Sequence, residues 1–291
     1  FVRAPTWRPD VDGEADIVEE IARIHGYDKV PSTPLPREPG VAKPTATRSQ
    51  LIERKVRRTA AARGLDEAVT WSFISEAEAE AFGGGAWPLG NPISEEMKVM
   101  RPSPLPGLIA AASRNLAHGA TSARLFEIGR RYLAEHERPT ATILLAGEKQ
   151  PRHWQDGKAR AFDAFDAKAE ALALLEAAGA PVANLQLFPD AGPTWHPGRS
   201  GTLRLGPKTI LAAFGELHPR LSKELDAPER AVAAEVYLDA IPAPRSSGHA
   251  RAHYTPPALQ AVTRDFAFIV PADLPADNLV RAIRNSDKQW I

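Results

Sequence analysis

The sequence contains no cysteine in 291 residues. That excludes disulfide staples and any zinc site built on thiolates, and it leans weakly towards a cytoplasmic compartment. No apolar run approaches the length needed to span a bilayer, and no opening stretch reads as a signal peptide. Charge of one sign is also lacking. Lys+Arg and Asp+Glu are 36 each, so the formal charge is zero and any contact with RNA must come from a local patch. There is no P-loop and no Gly-x-Gly-x-x-Gly, no Ser–His–Asp set stands out, and neither internal repeats nor low-complexity tracts occur. What is present is ordinary for a globular chain of one to three domains: 43% apolar and 25% charged residues.

The most informative stretch runs from Asn91 to Leu133. A Pro-punctuated loop, Asn91 to Pro106, leads into an apolar helix with Leu108, Ile109, Ala112 and Leu116 on one face. Gly119 follows it, suited to a helix stop. Arg124–Leu133 then alternates as a strand, with Phe126, Ile128 and Tyr132 on one side and Glu127 and Arg131 on a charged other side.

Towards the N-terminus a helix is expected from about Asp16 to Gly26, carrying Ile17, Ile21 and Ile24, with Asp16 and Glu19 as a capping pair. Asp16, Glu19 and Glu20 share a helix face, and Asp10 lies just before it. Two readings stay open on the residues alone. Crowded carboxylates suit a hard divalent cation. Equally, acids at a helix start are favoured by the dipole and solvated. Val30–Thr47, with five prolines, reads as a semi-rigid linker.

Arg48–Gly64 reads as a basic helix with Leu51, Ile52 and Val56 as its apolar side. Its arginines suggest a solvated face more than a phosphate site, since no aromatics interleave. Ala68–Phe73 reads as a strand with Val69, Trp71 and Phe73 inward. Ser75 and Glu78 form a capping box for a short helix. Ala141–Gly147 is a buried strand, and the loop from Glu148 to Arg160 carries His153 and Trp154. Phe162–Gly179 is a helix with Phe165, Ala169, Leu172 and Leu175 on its core side. Leu185–Phe188 is a strand, Trp195–Ser200 a structural turn, and Thr202–Leu205 with Thr209–Gly215 a hairpin about Gly206-Pro207. A short helix starts at Pro219, and Ala231–Leu238 is the last core strand. Pro242–Pro257 is a second linker, in which His249 and His253 are spaced for a metal only if helical, which the prolines disfavour. Val262–Val270 reads as a strand and Asp277–Asn285 as a helix.

NPIS-x-E-x-x-x-MR-x-S-x-LPGL at 91–108, followed by LFEIGR at 125–130, resembles the synthetase-like core of the bacterial phenylalanine–tRNA ligase beta subunit. VRRTAAARGLDEAVTWSF (56–73), HPGRS (196–200) and GELHP (215–219) extend the resemblance over nearly the whole chain. It implies a fragment, with family parts such as the editing domain lying upstream of Phe1 and the C-terminal domain cut short. The implied fold class is α+β: an antiparallel-sheet class II synthetase-like core of about six strands flanked by helices, a helical N-terminal tail and a partial ferredoxin-like unit. The implied domains are a magnesium-binding tail (1–30), a linker (31–47), the core (48–241), a second linker (242–257) and the start of an anticodon-binding domain (258–291). Asp10, Asp16, Glu19 and Glu20 match the family's spacing of magnesium-binding acids position for position, in a site completed with the alpha subunit.

Class II chemistry needs an Arg on the second-motif strand and another in a late Gly-rich motif, to hold developing phosphate charge. Phe126 and Glu127 stand where an Arg-x-Glu pair is expected, and no Gly-rich Arg segment follows Ala231–Leu238. The resemblance therefore implies a core with no catalytic residues of its own, beside a catalytic alpha subunit in an alpha2beta2 assembly. That assembly would use ATP to join phenylalanine to its tRNA in the cytoplasm, with no membrane involved. A lone fragment is expected to self-associate through the surface meant for its partner. The rival readings are a self-sufficient class II ligase and a stand-alone regulatory or RNA-binding module.

Overall fold

The computed structural model describes residues 2–36, 40, 44–85, 87–134, 136–244 and 253–287. The chain divides into two units, Phe1–Thr45 and Ala46–Ile291.

The first unit is an extended segment followed by α1 (Glu14–His25) and a short 3-10 turn at Tyr27–Lys29. No residue of α1 is buried. Its expected capping pair is corrected. Asp16 is the third helical residue, and its Oδ2 accepts from the backbone N–H groups of Asp12 and Gly13 at 3.0 and 2.8 Å. Glu19 takes no part. A carboxylate there satisfies amide groups that a helix start leaves without partners.

The second unit is built on one sheet. In chain order its elements are α2 (Arg48–Ala62), β1 (Asp66–Glu67), β2 (Phe73–Ile74), α3 (Glu76–Ala81), β3 (Val99–Met100), α4 (Leu105–Ala117), β4 (Ser122–Leu133), β5 (His136–Gln150), β6 (Arg160–Ala161), α5 (Ala164–Ala177), β7 (Gln186–Phe188), β8 (Trp195–Leu205), β9 (Thr209–Leu217), α6 (Pro219–Glu224), β10 (Val232–Tyr237) and α7 (Ala276–Ser286). The sheet has eight strands rather than the expected six, in the order β1-β4-β5-β10-β9-β8-β7 with β6 beside β5. Among the described residues only the β1–β4 pair is parallel. β2 and β3 form a separate two-stranded piece.

Alternation sorts the side chains onto two faces. One face carries Phe126, Ile143, Leu145, Val232, Ala234 and Phe214, packed under α2 and α5. The other carries Leu144, Ala146, Ala233, Ala213 and Leu217 under α4, whose Leu105, Leu108, Ile109 and Ala112 are buried as expected. On this second face the apolar rows give way to a polar one. Glu127, Thr142 and Glu235 stand opposite one another on β4, β5 and β10.

Several expectations shift. Leu51 and Phe165 lie outward, 46% and 76% exposed, and Ala169 is exposed as well; α5 buries Leu175 and packs Leu172 against the core as expected, and also buries Ala167, Ala171 and Leu174. Strand pairing, not alternation alone, decides where β5 ends, so it runs well beyond Ala141–Gly147. The HPGRS segment is no free turn: it lies within β8 at a bulge opposite β9, between the pairs Trp195–Leu217 and Ser200–Gly215. His196 Nδ1 accepts from the Gly198 N–H at 3.0 Å, a local turn bond. Val262–Val270 forms no strand. No described segment pairs with it, and an unpaired strand gains no ladder bonds to hold it. The expected helix after it is α7.

Candidate functional site

The polar end of the second sheet face is where the loop Asn91–Pro106 lands. Arg101 enters it and is 3% exposed, as is Glu127. Arg101 Nη2 donates to Glu127 Oε1 at 2.6 Å, Nη1 donates to Thr70 Oγ1 at 2.8 Å, and Nε donates to the Arg130 carbonyl at 3.2 Å. Thr70 Oγ1 in turn donates to Glu127 Oε2 at 2.6 Å. The backbone is tied at the same point: Arg101 N–H to Ser72 O, and Tyr132 N–H to Arg101 O, both 2.9 Å. The charged face expected for β4 is therefore not solvated. It is an internal ion pair.

This arrangement explains two motif glycines. A Cβ on Gly129 would stand 2.3 Å from Arg101 Nη2 and 3.0 Å from Glu127 Oε1. A Cβ on Gly107 would stand 2.4 Å from Thr70 Oγ1. Neither approach leaves room for a side chain.

Beside the ion pair, Ser103 Oγ donates to Glu235 Oε1 at 2.7 Å and accepts from the Leu105 N–H at 3.1 Å, so Ser103 anchors the start of α4. Arg131 lies over the Tyr237 ring, 4.0 Å from its centroid. Burial pushes the Glu235 carboxyl above its ordinary range, against the pull of Arg131 and the Ser103 hydroxyl. Burial likewise pushes the Tyr237 phenol up. A class II site needs cations aimed at an open cavity. Here Arg101 is wholly taken up by Glu127, Thr70 and the Arg130 carbonyl, and the face is filled by the chain's own loop. Sequence reasoning missed Arg101, Thr70, Ser103 and Glu235. The motif names Arg101 and Ser103, but nothing local says that they reach strands so distant in sequence.

The same network sets residues 68–72. They do not form the expected strand, which is confined to Phe73–Ile74 (β2), and their exposure is opposite in phase to the expectation: Thr70 turns inward to the ion pair, so Val69 and Trp71 turn out, 89% and 69% exposed. With the half-buried Phe73 and Met97, and with Glu78, Ala110 and Arg114, they line a groove of about 530 Å³. On the basic helix α2, Arg54, Lys55 and Arg58 are exposed without an ion pair among the described residues, and the other three cations are engaged. Arg57 pairs with Glu67, Arg63 with Glu170, and Arg48 donates to the carbonyls of Ile241 and Pro242.

In the first unit the four carboxylates do not converge. Arg8 Nη2 bridges Asp10 and Glu20 at 2.6 and 2.7 Å, and Arg23 holds the other oxygen of Glu20 at 2.6 Å. Asp16 is committed to the backbone. The Arg8 side chain holds the Asp10 carboxyl below its ordinary range, and Arg8 with Arg23 holds Glu20 down to about 2. Among the described residues no group of three His, Asp or Glu side chains is placed to hold a metal ion. So arranged, the residues do not fit a shared magnesium ion, because guanidinium groups stand where it would. His249 lies outside the described residues, so its pairing with His253 has no structural counterpart here.

The core is thus a mostly antiparallel sheet with helices on both faces and a buried polar patch at one end. The fold is similar to that of pyrrolysyl-tRNA synthetase from Desulfitobacterium hafniense, with a TM-score of 0.50 at 18% identity over 65% of this chain and 64% of that one. Residues 31–238 match the phenylalanyl tRNA synthetase beta chain CLM domain, and residues 1–27 match the tRNA synthetase B5 domain. The chain is 61% identical to the phenylalanine–tRNA ligase beta subunit of Novosphingobium aromaticivorans and 56% identical to that of Zymomonas mobilis, over its full length in both. It is 47% identical to that of Rhodospirillum rubrum. The chain belongs to the phenylalanine–tRNA ligase beta subunit family. It spans 37% of the length of these relatives. Among the described residues, no helix is long and apolar enough to cross a membrane.

Two predictions test this geometry. Replacing Arg101 with Met strands a buried carboxylate and should cost roughly 3–5 kcal/mol of unfolding free energy, of which the R101M/E127M double variant should recover a large part. Urea denaturation of the three proteins checks it; additive losses would mean no coupled pair. Glu235 gives a pH signature. Its folded value is raised, so its contribution is fully present below the ordinary 4.5 and is lost as pH rises through the folded value. Glu235→Gln should therefore lose less stability than the parent above pH 4.5. Identical pH slopes for both would contradict the buried, raised carboxyl.

Proposed function

We propose that this chain is the non-catalytic core of a phenylalanine–tRNA ligase beta subunit, supporting ATP-dependent attachment of phenylalanine to its tRNA by an alpha subunit. The observation that supports this reading is the closed polar face: Arg101, the cation nearest a would-be site, is bonded to Glu127 and Thr70 and not to open space. A self-sufficient ligase would need free arginines there. A regulatory or RNA-binding module without a ligase partner is separated by co-purification from the native cell, where a stoichiometric alpha subunit supports the ligase reading.

The wider proposal is an alpha2beta2 assembly that binds tRNA in the cytoplasm. Its domain division follows the sequence: a tail to residue 30, the core at 48–241, linkers at 31–47 and 242–257, and the start of an anticodon-binding domain at 258–291. The gap between the two family matches, 1–27 and 31–238, supports the division after the tail. Mixed with ATP, phenylalanine and magnesium, the chain alone should show no pyrophosphate exchange. Exchange by pure protein would sink the inactive-core reading.

Magnesium at Asp10, Asp16, Glu19 and Glu20 belongs to the same proposal, on condition that Arg8 and Arg23 swing away. Hard oxygen ligands and an octahedral shell would then come partly from water or the alpha subunit. Calorimetric titration with magnesium should give tighter binding with the alpha subunit than without it. Equal affinity in both would count against a shared site.

The outward Val69 and Trp71 and the half-buried Phe73, with α2, are proposed as the surface that meets the alpha subunit. Exposed aromatics commonly anchor interfaces, and an obligate one buries roughly 2,000 Å² or more. Alone, the fragment should use this surface to self-associate. Trp71→Asp should weaken both self-association and alpha binding in sedimentation. Unchanged alpha binding would place the interface elsewhere.

A further inference from the structure

We infer that the hairpin tip carrying Trp154 is a contact for an unpaired tRNA nucleotide, whose base stacks on the indole while Arg152 and Lys158 meet the flanking phosphates. This rests on the ligase reading above and names a site for its RNA.

The tip is built, not loose. β5 and β6 pair at Glu148–Ala161 and Gln150–Arg160, and the chain beyond them closes again at His153 and Gly157. His153 N–H donates to Gly157 O at 3.1 Å, and Gly157 N–H donates to His153 O at 2.8 Å. Gly157, which closes the loop opposite His153, sits at φ 80°, a left-handed conformation that glycine adopts without strain. The three loop residues, 154–156, are thus held out from the sheet. Trp154 is the first of them and is 83% exposed. Its ring leans on that of His153, with centroids 5.6 Å apart.

The charges point the same way. At the base of the hairpin Lys149 and Arg160 are both paired with Asp166. Higher up, Arg152 precedes His153 on one arm and Lys158 follows Gly157 on the other, and among the described residues neither side chain has an ion pair or hydrogen bond, whereas the loop's own acid, Asp156, lies 3.7 Å from His153 Nδ1. A large aromatic left in water gives folding nothing. An exposed indole on a tip whose two arms each carry an unpaired cation suits a base and its phosphates, because stacking tolerates any base and the cations track the backbone. An apolar protein partner would need a contiguous apolar patch, whereas Gln155, Asp156 and Gly157 follow the indole.

The test uses the whole ligase, assembled from the alpha subunit and the full-length beta subunit, with a phenylalanine tRNA transcript as probe. Trp154→Ala should weaken equilibrium tRNA binding roughly ten-fold, while Trp154→Phe keeps most of the affinity. The R152Q/K158Q variant should lower the slope of log affinity against log salt by roughly 1.5. Pyrophosphate exchange, which needs only amino acid and ATP, should be unchanged throughout. Unaltered tRNA binding by W154A in an otherwise active enzyme overturns the inference. So does loss of the alpha subunit from W154A, which would make the tip a protein contact. An unmutated assembly that fails to bind alpha or to charge tRNA would instead overturn the ligase reading.

Discussion

The buried ion pair between Arg101 and Glu127 is the constraint on which the core depends. A guanidinium taken out of water must find acceptors for its donors, or its desolvation goes uncompensated. Those acceptors are Glu127 and the Arg130 carbonyl on β4, and Thr70 on the segment that crosses in front of it. Satisfying them pins the loop Asn91–Pro106 to the sheet and fixes the path of residues 68–72. It also leaves no space for a side chain at Gly129 or Gly107. One interaction thus brings together three stretches remote in sequence. It turns Trp71 outward by turning Thr70 inward.

That constraint orders both sides of the loop. One end of the second sheet face is closed from within: Arg101 and Ser103 reach down from the loop, and Glu127 and Glu235 meet them from the strands. Outside it lies a groove lined by Val69, Trp71 and Phe73, of which Val69 and Trp71 are exposed.

Much of this was legible in the sequence, and the failures have physical causes. The α4 stripe, the β8–β9 hairpin, the Ser75 capping box and the β10 strand follow from local periodicity and turn chemistry, which the fold did not override. The phase of residues 68–72 was read wrongly because hydrophobicity favours Val69 and Trp71 inside, whereas a buried ion pair favours Thr70. Phe165 was placed in the core for the same reason, though the small Ala167 and Ala171 fit closer under the sheet. Val262–Val270 has the composition of a strand but no neighbour to pair with. Asp10, Asp16, Glu19 and Glu20 lie close in sequence, but proximity in sequence does not make them converge: Arg8 and Arg23, equally near, take Asp10 and Glu20 as partners, and Asp16 bonds to the backbone.

Buried Arg101 is bonded to Glu127, Thr70 and the Arg130 carbonyl, and so is not free to hold a phosphate. Calorimetric titration of the purified chain with ATP tests it most directly. The account predicts no saturable heat. Stoichiometric ATP binding that is lost when Arg101 is replaced would contradict it, because Arg101 would then be a ligand for phosphate and not the partner of Glu127.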